Sequence, residues 1–482
     1  VTTSLLPPHD ELLARFRAKD PLDRGAFLVG VLTTGIYCLP TCRARAPRPE
    51  NVRFFAREPE ARAAGLRPCL RCRPDEFHRG FDGELELLRR LAAELRLDPS
   101  ECADARVLAR RAGVGGTKLN GLFRHHYHVT PAEFLARARV QRAMRALAEE
   151  RASVLEAAAA AGFESASAFH ENFRVRTGLT PAAYRELGRK PSFQLALPVG
   201  SRFEELAGFF GRDAEGRTER VRGSTLSKAL VLGGEPVRVE LTLEPEHQRA
   251  RVLVHADRLR APLLRAVHAR CVRWLGLASD GEAFVRRMRR TRATAALVHG
   301  REGLRIPLAT DLFEGLVWVV VGAQVHVNFA ATCRAALIEL SGTPVGDGFL
   351  AHPTPEAVAW LDYSDLTRRQ FSRRKAEYLI DAARLLAAGE LDLEGLRSEP
   401  VPFVAARLGK VRGLGPWSVQ YLCLRAFGFE DCAPIGDVVL HEALRRFAGL
   451  AERPDARAAA ALMESFAPHR SLATYHLWKS LA

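Results

Sequence analysis

Alternation of apolar and polar residues runs through Val237-Arg238-Val239-Glu240-Leu241-Thr242-Leu243 and Ala250-Arg251-Val252-Leu253-Val254, and it predicts the strands of a small antiparallel sheet. The pattern on either side is helical. From Phe81 to Gly188 apolar positions recur at helical spacing, broken by two short turn-bearing stretches. Another helical stretch begins near Ala261, and a continuous apolar run from Phe313 through Gln324 predicts a long buried helix. That run is too short to cross a bilayer, which needs about 18 apolar residues or more. With no basic-then-apolar leader between Val1 and Asp20, the chain reads as a soluble, intracellular, multidomain α+β protein.

The two turn-bearing stretches resemble each other. Leu108 to Arg124 reads as helix, glycine turn and second helix. In Ala157 to Phe173 the turn is Ala160-Ala161-Gly162-Phe163, and Ser165 to Arg174 makes the following helix. Each is followed by Thr-Pro, at Thr130-Pro131 and Thr180-Pro181, so a duplicated helix-turn-helix is expected. Phe123, Phe169 and Phe173 would be core in this arrangement and equally in a plain helical bundle. Gly115-Gly116 lies where the second helix of the first unit should begin, and glycine weakens a helix.

Composition adds a partner class. A chain of 482 residues with 47% hydrophobic and 26% charged content is ordinary globular material with room for three or four domains, which argues against disorder. The net charge of +15 suggests a polyanionic partner, although an alanine- and arginine-rich coding bias gives the same excess.

Chemistry enters through the cysteines. Cys38-x-x-x-Cys42 and Cys69-x-x-Cys72 are two close pairs with metal-ligand spacing, and four thiolates in pairs suit one tetrahedral Zn²⁺. Disulfides are the competing reading, disfavoured in a reducing compartment. Spacing alone fits a structural zinc knuckle as well as a reactive site. The flanks, Thr33-Thr34-Gly35-Ile36-Tyr37-Cys38-Leu39-Pro40-Thr41-Cys42-Arg43-Ala44-Arg45 and Gly65-Leu66-Arg67-Pro68-Cys69-Leu70-Arg71-Cys72, closely resemble the Ada-type zinc domain that repairs methyl phosphotriesters in DNA. The resemblance implies that Cys38 accepts the methyl group, that all four cysteines hold the metal, and that Thr34, Arg43, Arg45 and Arg67 face DNA.

The helical region ends in Phe-Arg-x-x-x-Gly-Leu-Thr-Pro-Ala-x-Tyr, from Phe173 to Tyr184, and so resembles the AraC-type regulator domain. In that family the second helix of each unit enters the major groove. The implied base readers are Thr117, Lys118 and Asn120 in the first unit, and Ser167, His170, Glu171 and Asn172 in the second.

Further on, Gly413-Leu414-Gly415 predicts a tight hairpin between helices whose backbone N–H groups can approach a DNA phosphate. With Trp417, Tyr421 and the Asp437 of Pro434-Ile435-Gly436-Asp437 in order, it resembles the helix-hairpin-helix of the AlkA-type 3-methyladenine DNA glycosylase II family, from about Ser192 to the end. The resemblance implies that Asp437 stabilises the sugar cation as the N-glycosidic bond breaks. It implies a base pocket of Trp417, Tyr421 and Trp478 with Gln324, a wedge at Gln324-Val325, and a phosphate grip at Gly413 and Gly415. An aspartate before a helix also serves as a simple N-cap, and aromatics at helical spacing are also core. Tryptophan at position 417, where bifunctional relatives place lysine, implies no lyase activity. Cys423 and Cys432 have no further cysteines after them, so no iron–sulfur cluster is expected. A Pro-Cys-His-Arg methyltransferase motif is also lacking.

The expected organisation is a four-cysteine zinc domain over 1–80 and an all-α double helix-turn-helix domain over 81–190. An antiparallel sheet domain over 191–300 and an all-α helix-hairpin-helix glycosylase domain over 301–482 follow. The expected function is excision of N-alkylated purines joined to a methylation-responsive transcription activator. The alternative is a regulator whose glycosylase-like half only binds damaged DNA. Expected partners are alkylated and promoter duplex DNA, with RNA polymerase as a further partner. The protein is expected to be a cytoplasmic, nucleoid-associated monomer that uses one zinc ion and no membrane.

Overall fold

The computed structural model describes residues 6–19, 23, 25–42, 44–79, 82–149, 152–213 and 215–481. The chain forms two compact units, Val1–Ala93 and Glu94–Ala482. No described helix is long and apolar enough to cross a membrane.

In the first unit a helix, His9–Ala18, precedes a four-stranded sheet. Its strands run in the order Val52–Phe55, Leu28–Val31, Ile36–Cys38, Arg67–Pro68, the last pair parallel and the others antiparallel. Successive side chains of a strand point to opposite faces. Leu28 accordingly packs with Tyr37, Leu39 and Phe55, while Val29 packs with Leu12, Phe16 and Phe27. Gly30 lies so close to Leu66 and Phe55 that a Cβ there would stand 2.5 and 2.6 Å from their side chains. The strand pair with Arg67–Pro68 brings the second cysteine pair beside the first.

The second unit opens with the expected duplication. Helices Ala105–Arg111 and Gly116–Tyr127 form the first helix-turn-helix, Val154–Ala160 and Ala166–Thr177 the second, and Pro131–Ala148 joins them. Gly115 N-caps its helix without a side-chain bond, whereas Ser165 caps the second by accepting the Ala168 N–H at 3.4 Å.

A five-stranded antiparallel sheet follows, in the order Ser192–Ala196, Arg249–His255, Glu235–Glu244, Thr225–Leu232, Glu219–Arg222. The alternation that predicted it places Val237, Val239, Leu241 and Leu243 in the interior. They share one core with Phe169, Phe173 and Tyr184 of the helix-turn-helix region and with Trp274 of helix Ala261–Trp274. The helix-turn-helix region and the sheet are therefore fused by packing.

The remaining helices enclose a second core around helix Leu312–Gly322. That helix is shorter than the apolar run suggested. It ends at Gly322, and Gln324 turns the chain with a left-handed φ of 58°, which starts a separate helix, Val327–Ser341. Hydropathy carried the expectation through Gln324 because Gly322 and Ala323 interrupt the backbone geometry without interrupting the apolar pattern.

Candidate active site and metal centre

Helix Pro416–Leu422 follows the glycine hairpin, and helix Val438–Phe447 begins directly after Asp437. Asp437 is a helix N-cap, as its position suggested, but capping uses only part of its carboxylate. Oδ1 accepts the Leu440 N–H at 2.8 Å and the Trp478 indole N–H at 3.1 Å, and Oδ2 accepts the Trp417 indole N–H at 3.0 Å. Three donors from three parts of the chain fix its orientation. Tyr421, one helical turn after Trp417, lies between the indoles with ring centroids 5.3 Å from Trp417 and 5.9 Å from Trp478. The carboxylate thus stands at the edge of a three-ring aromatic wall, which suits a planar, electron-poor base.

Behind that wall are residues that sequence reading missed. Arg212, just after helix Phe203–Phe210 of the sheet region, lies 5.0 Å over Trp318 and 5.5 Å over Phe209. Burial lowers the pKa of its guanidinium. A buried charge network sits beside it. The Lys228 Nζ reaches Glu219 at 2.7 Å and Glu314 at 3.1 Å, and Arg334 reaches the same two carboxylates at 2.7 and 2.9 Å. Burial would raise the Glu314 pKa, but Lys228 and Arg334 hold its carboxyl well below the usual range. These contacts join residues far apart in sequence, and no periodicity announces them.

Gly413 has a φ of 93°, and a Cβ there would come within 2.4 Å of the Tyr378 ring, so both backbone geometry and space require glycine. Gly415 N-caps helix Pro416–Leu422, and a Cβ on it would meet open space. Gln324 is exposed in its turn and Val325 half-buried against the core. Among the described residues, Gln324 is not part of the hydrogen-bonded aromatic cluster.

In the first unit the ligand atoms of Cys38, Cys42, Cys69 and Cys72 all lie within 4.8 Å of one another. A tetrahedral zinc with Zn–S near 2.3 Å needs sulfurs about 3.8 Å apart, so the donor set fits that ion in number, type and spacing. Cys38, Cys42 and Cys69 are buried and Cys72 is partly exposed. Hydrogen bonding to Cys42 and Cys72 raises the Cys38 pKa, and the same contact with Cys38 holds Cys42 far below the thiol range. Four thiolates this close would repel one another, so all four can be ionised together only around a cation. The Leu39 N–H donates to Cys72 Sγ at 3.4 Å.

Of the residues expected to face DNA here, Thr34, Arg45 and Arg67 are all exposed, and Arg43 lies outside the described residues. The Arg67 N–H donates to the Gly35 carbonyl at 2.8 Å, which sets Arg67 beside the Thr34 turn. In the helix-turn-helix units Thr117, Asn120, Ser167, His170 and Glu171 are exposed, and Lys118 and Asn172 half-buried. Asn172 Nδ2 donates to the Ala168 carbonyl at 2.9 Å, within its own helix.

Four family models match in succession: "Metal binding domain of Ada" over 11–75, "Helix-turn-helix domain" over 108–187, "AlkA N-terminal domain" over 194–311, and "HhH-GPD superfamily base excision DNA repair protein" over 317–469. The chain is 32% identical to the "Probable bifunctional transcriptional activator/DNA repair enzyme AlkA" of Mycobacterium tuberculosis, covering 98% of this chain and 97% of that one. It is 33% identical to the Escherichia coli "Bifunctional transcriptional activator/DNA repair enzyme Ada", over 37% of this chain and 50% of the relative. The structure of a 3-methyladenine DNA glycosylase from Archaeoglobus fulgidus superposes with a TM-score of 0.53 at 23% identity, over 59% of this chain and 97% of that one, which shows a shared fold. Near full-length similarity to the mycobacterial relative, with four family models in the same chain, places this chain in the AlkA family of bifunctional transcriptional activators and DNA repair enzymes.

Proposed function

We propose that this protein excises N-alkylated purines such as 3-methyladenine from duplex DNA with Asp437, and accepts methyl groups from DNA phosphotriesters on Cys38. The observation that carries the first half is the Asp437 carboxylate held by the Trp417 and Trp478 indoles at 3.0 and 3.1 Å. The base leaves the stack and enters against Trp417, Tyr421 and Trp478. As the C1′–N bond breaks, its electron pair leaves with the base, and the Asp437 carboxylate stabilises the positive charge that grows on the sugar until water adds at C1′. An alkylated purine already carries positive charge, so it needs little help to leave. Gln324 and Val325 fill the gap in the duplex, and Gly413 and Gly415 grip a phosphate.

Excision proceeds without strand cleavage, because an indole at position 417 cannot form a Schiff base. The Lys479 amine beside Trp478 is engaged by Glu205 at 2.7 Å.

In the first unit the Cys38 sulfur attacks the methyl carbon. The S–C bond forms as the O–C bond breaks, and the phosphate oxygen departs with the electron pair, restoring a diester. Zinc, when bound, keeps the thiolates deprotonated at neutral pH. Methylation removes one negative charge from a site facing the DNA backbone, which raises DNA affinity. Thr34, Arg43, Arg45 and Arg67 contact the DNA there, and Lys118, Asn120, His170 and Asn172 read promoter bases. We further propose the domain limits 1–80, 81–190, 191–300 and 301–482, a monomer in solution, RNA polymerase as the partner of the activator, and association with the nucleoid.

The deciding experiment is release of free 3-methyladenine from alkylated duplex DNA by the wild-type protein and by Asp437→Asn. Release by the wild type alone supports the proposal; release by neither favours a regulator whose C-terminal half only binds damage.

A further inference from the structure

The loop that presents Asp437 is held by the regulatory region. Loop 428–437 follows the π-helical turn Cys423–Phe427 that extends the Trp417 helix, and at its far turn stand Glu430 and Asp431. The Glu430 carboxylate, with 11% of its side chain exposed, pairs with Arg137 of helix Pro131–Ala148. Arg137 Nε also donates to Glu133 at 2.8 Å, and the other oxygen of Glu133 accepts Arg176 at 2.6 Å, from the last turn of the second recognition helix. The row Arg176, Glu133, Arg137, Glu430 alternates in sign and runs from the second helix-turn-helix unit to the loop.

The first unit meets the next residue. His128, the left-handed C-cap of helix Gly116–Tyr127, accepts the Asp431 backbone N–H on Nδ1 at 3.0 Å, and its ring packs edge-on to Phe429 at 6.0 Å. The Asp431 carboxylate accepts Arg470 Nε at 2.9 Å and Nη2 at 2.8 Å, at the start of helix Arg470–Lys479, which carries Trp478. The Cys432 N–H donates to Ser471 Oγ at 2.9 Å on that helix. The Ala433 N–H then reaches Gln420 Oε1 at 3.3 Å, on the helix of Trp417 and Tyr421. One short loop thus joins both helix-turn-helix units to every element that touches the Asp437 carboxylate.

We infer that His128 and Arg137 are positioning residues for base excision, and that the helix-turn-helix region braces the catalytic loop. The inference rests on Asp437 being the catalytic carboxylate. Removing Arg137 leaves Glu430 mostly buried without its cation, and the loop must shift to hydrate it. A shift of a fraction of an ångström passes through Asp431 and Ala433 to Trp478, Trp417 and Asp437, where rate depends steeply on alignment. The effect falls on the chemical step, because the residues that grip DNA lie elsewhere.

The test is single-turnover excision of 3-methyladenine by the full-length protein, with substrate half-saturation measured separately and thermal melting as the folding control. Arg137→Ala and Glu430→Ala should each slow the rate roughly ten-fold or more with half-saturation changed less than about two-fold. Because the two residues act through one ion pair, the double variant Arg137→Ala with Glu430→Ala should be no slower than either single variant. His128→Gln, which keeps an acceptor, should stay closer to wild type than His128→Ala, and this comparison decides the matter if an Arg137 variant does not fold. Folded variants that excise at the wild-type rate would overturn the inference alone. Absence of release by the wild-type chain would overturn the excision reading and the inference with it.

Discussion

The Trp478 indole N–H donates to Asp437 Oδ1 at 3.1 Å across 41 positions of sequence, so the C-terminal helix sets the orientation of the candidate catalytic carboxylate. Trp478→Phe keeps an aromatic wall and removes only the donor. The expected result is a fall of about ten-fold in single-turnover excision with little change in substrate affinity, since one hydrogen bond to a charged group contributes roughly 1.5–3 kcal/mol. Trp417→Phe should behave alike, because its indole serves the opposite oxygen at 3.0 Å. Retention of full rate by both variants would show that the indoles only pack.

Cys38→Ser separates metal binding from methyl acceptance. Wild-type protein should carry one zinc per chain, measured by chelator titration and elemental analysis. The variant should take up no methyl label from methylated DNA, even where zinc supplementation keeps the domain folded through Cys42, Cys69 and Cys72. Label transferred in full to the variant would place the acceptor elsewhere.

His268 links the second helix-turn-helix unit to the sheet region, its Nε2–H donating to the Thr177 carbonyl at 2.7 Å. Burial lowers its pKa from 6.5 to about 4, and burial does the same to His476. A folded-state pKa below the unfolded one means that the unfolded chain binds the proton first. The stabilisation is therefore complete above pH 6.5 and is lost as pH falls toward 4. Each histidine contributes on the order of 3 kcal/mol to this acid sensitivity. Urea unfolding at pH 7.5 and pH 5 should show a marked drop in midpoint that His268→Gln reduces; an unchanged pH dependence would reject the assignment.

Lys228 neutralises Glu219 and Glu314 in the interior, where its side chain is fully buried. Lys228→Met leaves Arg334 alone against two buried carboxylates and should lower the unfolding free energy by about 3–5 kcal/mol, read from urea denaturation. Adding Glu219→Gln should restore part of it, since the charges then balance. A midpoint unchanged in Lys228→Met would mean that solvent already reaches the network.

What could be read from the sequence was what local pattern encodes. The strands over Val237–Leu243, the two helix-turn-helix units and the Gly413–Gly415 hairpin each follow from spacing within a short window. The four-cysteine cluster was legible because its two pairs are local and their chemistry is restrictive. Asp437, Trp417, Tyr421 and Trp478 were named from a motif, and their shared hydrogen bonds appear only once the chain is folded. Arg212 over Trp318, Lys228 with Glu314 and His128 against Asp431 were invisible, because each pair is brought together by domain packing. A charged residue destined for burial looks in sequence like any surface charge. The fused core of the regulatory helices and the sheet was missed too: a change of periodicity marks where one element type ends, and says nothing about which faces meet.

Gly415 caps the helix on which Trp417 stands two residues later, so the hairpin and the aromatic wall share one rotational register. On a helix each added residue turns the next side chain by about 100°. Inserting a single alanine between Pro416 and Trp417 would leave the hairpin in place while swinging the indole off Asp437. The spacing of this turn thus acts as an index that matches the hairpin to the Asp437 carboxylate, and its length is as much a part of the site as any side chain.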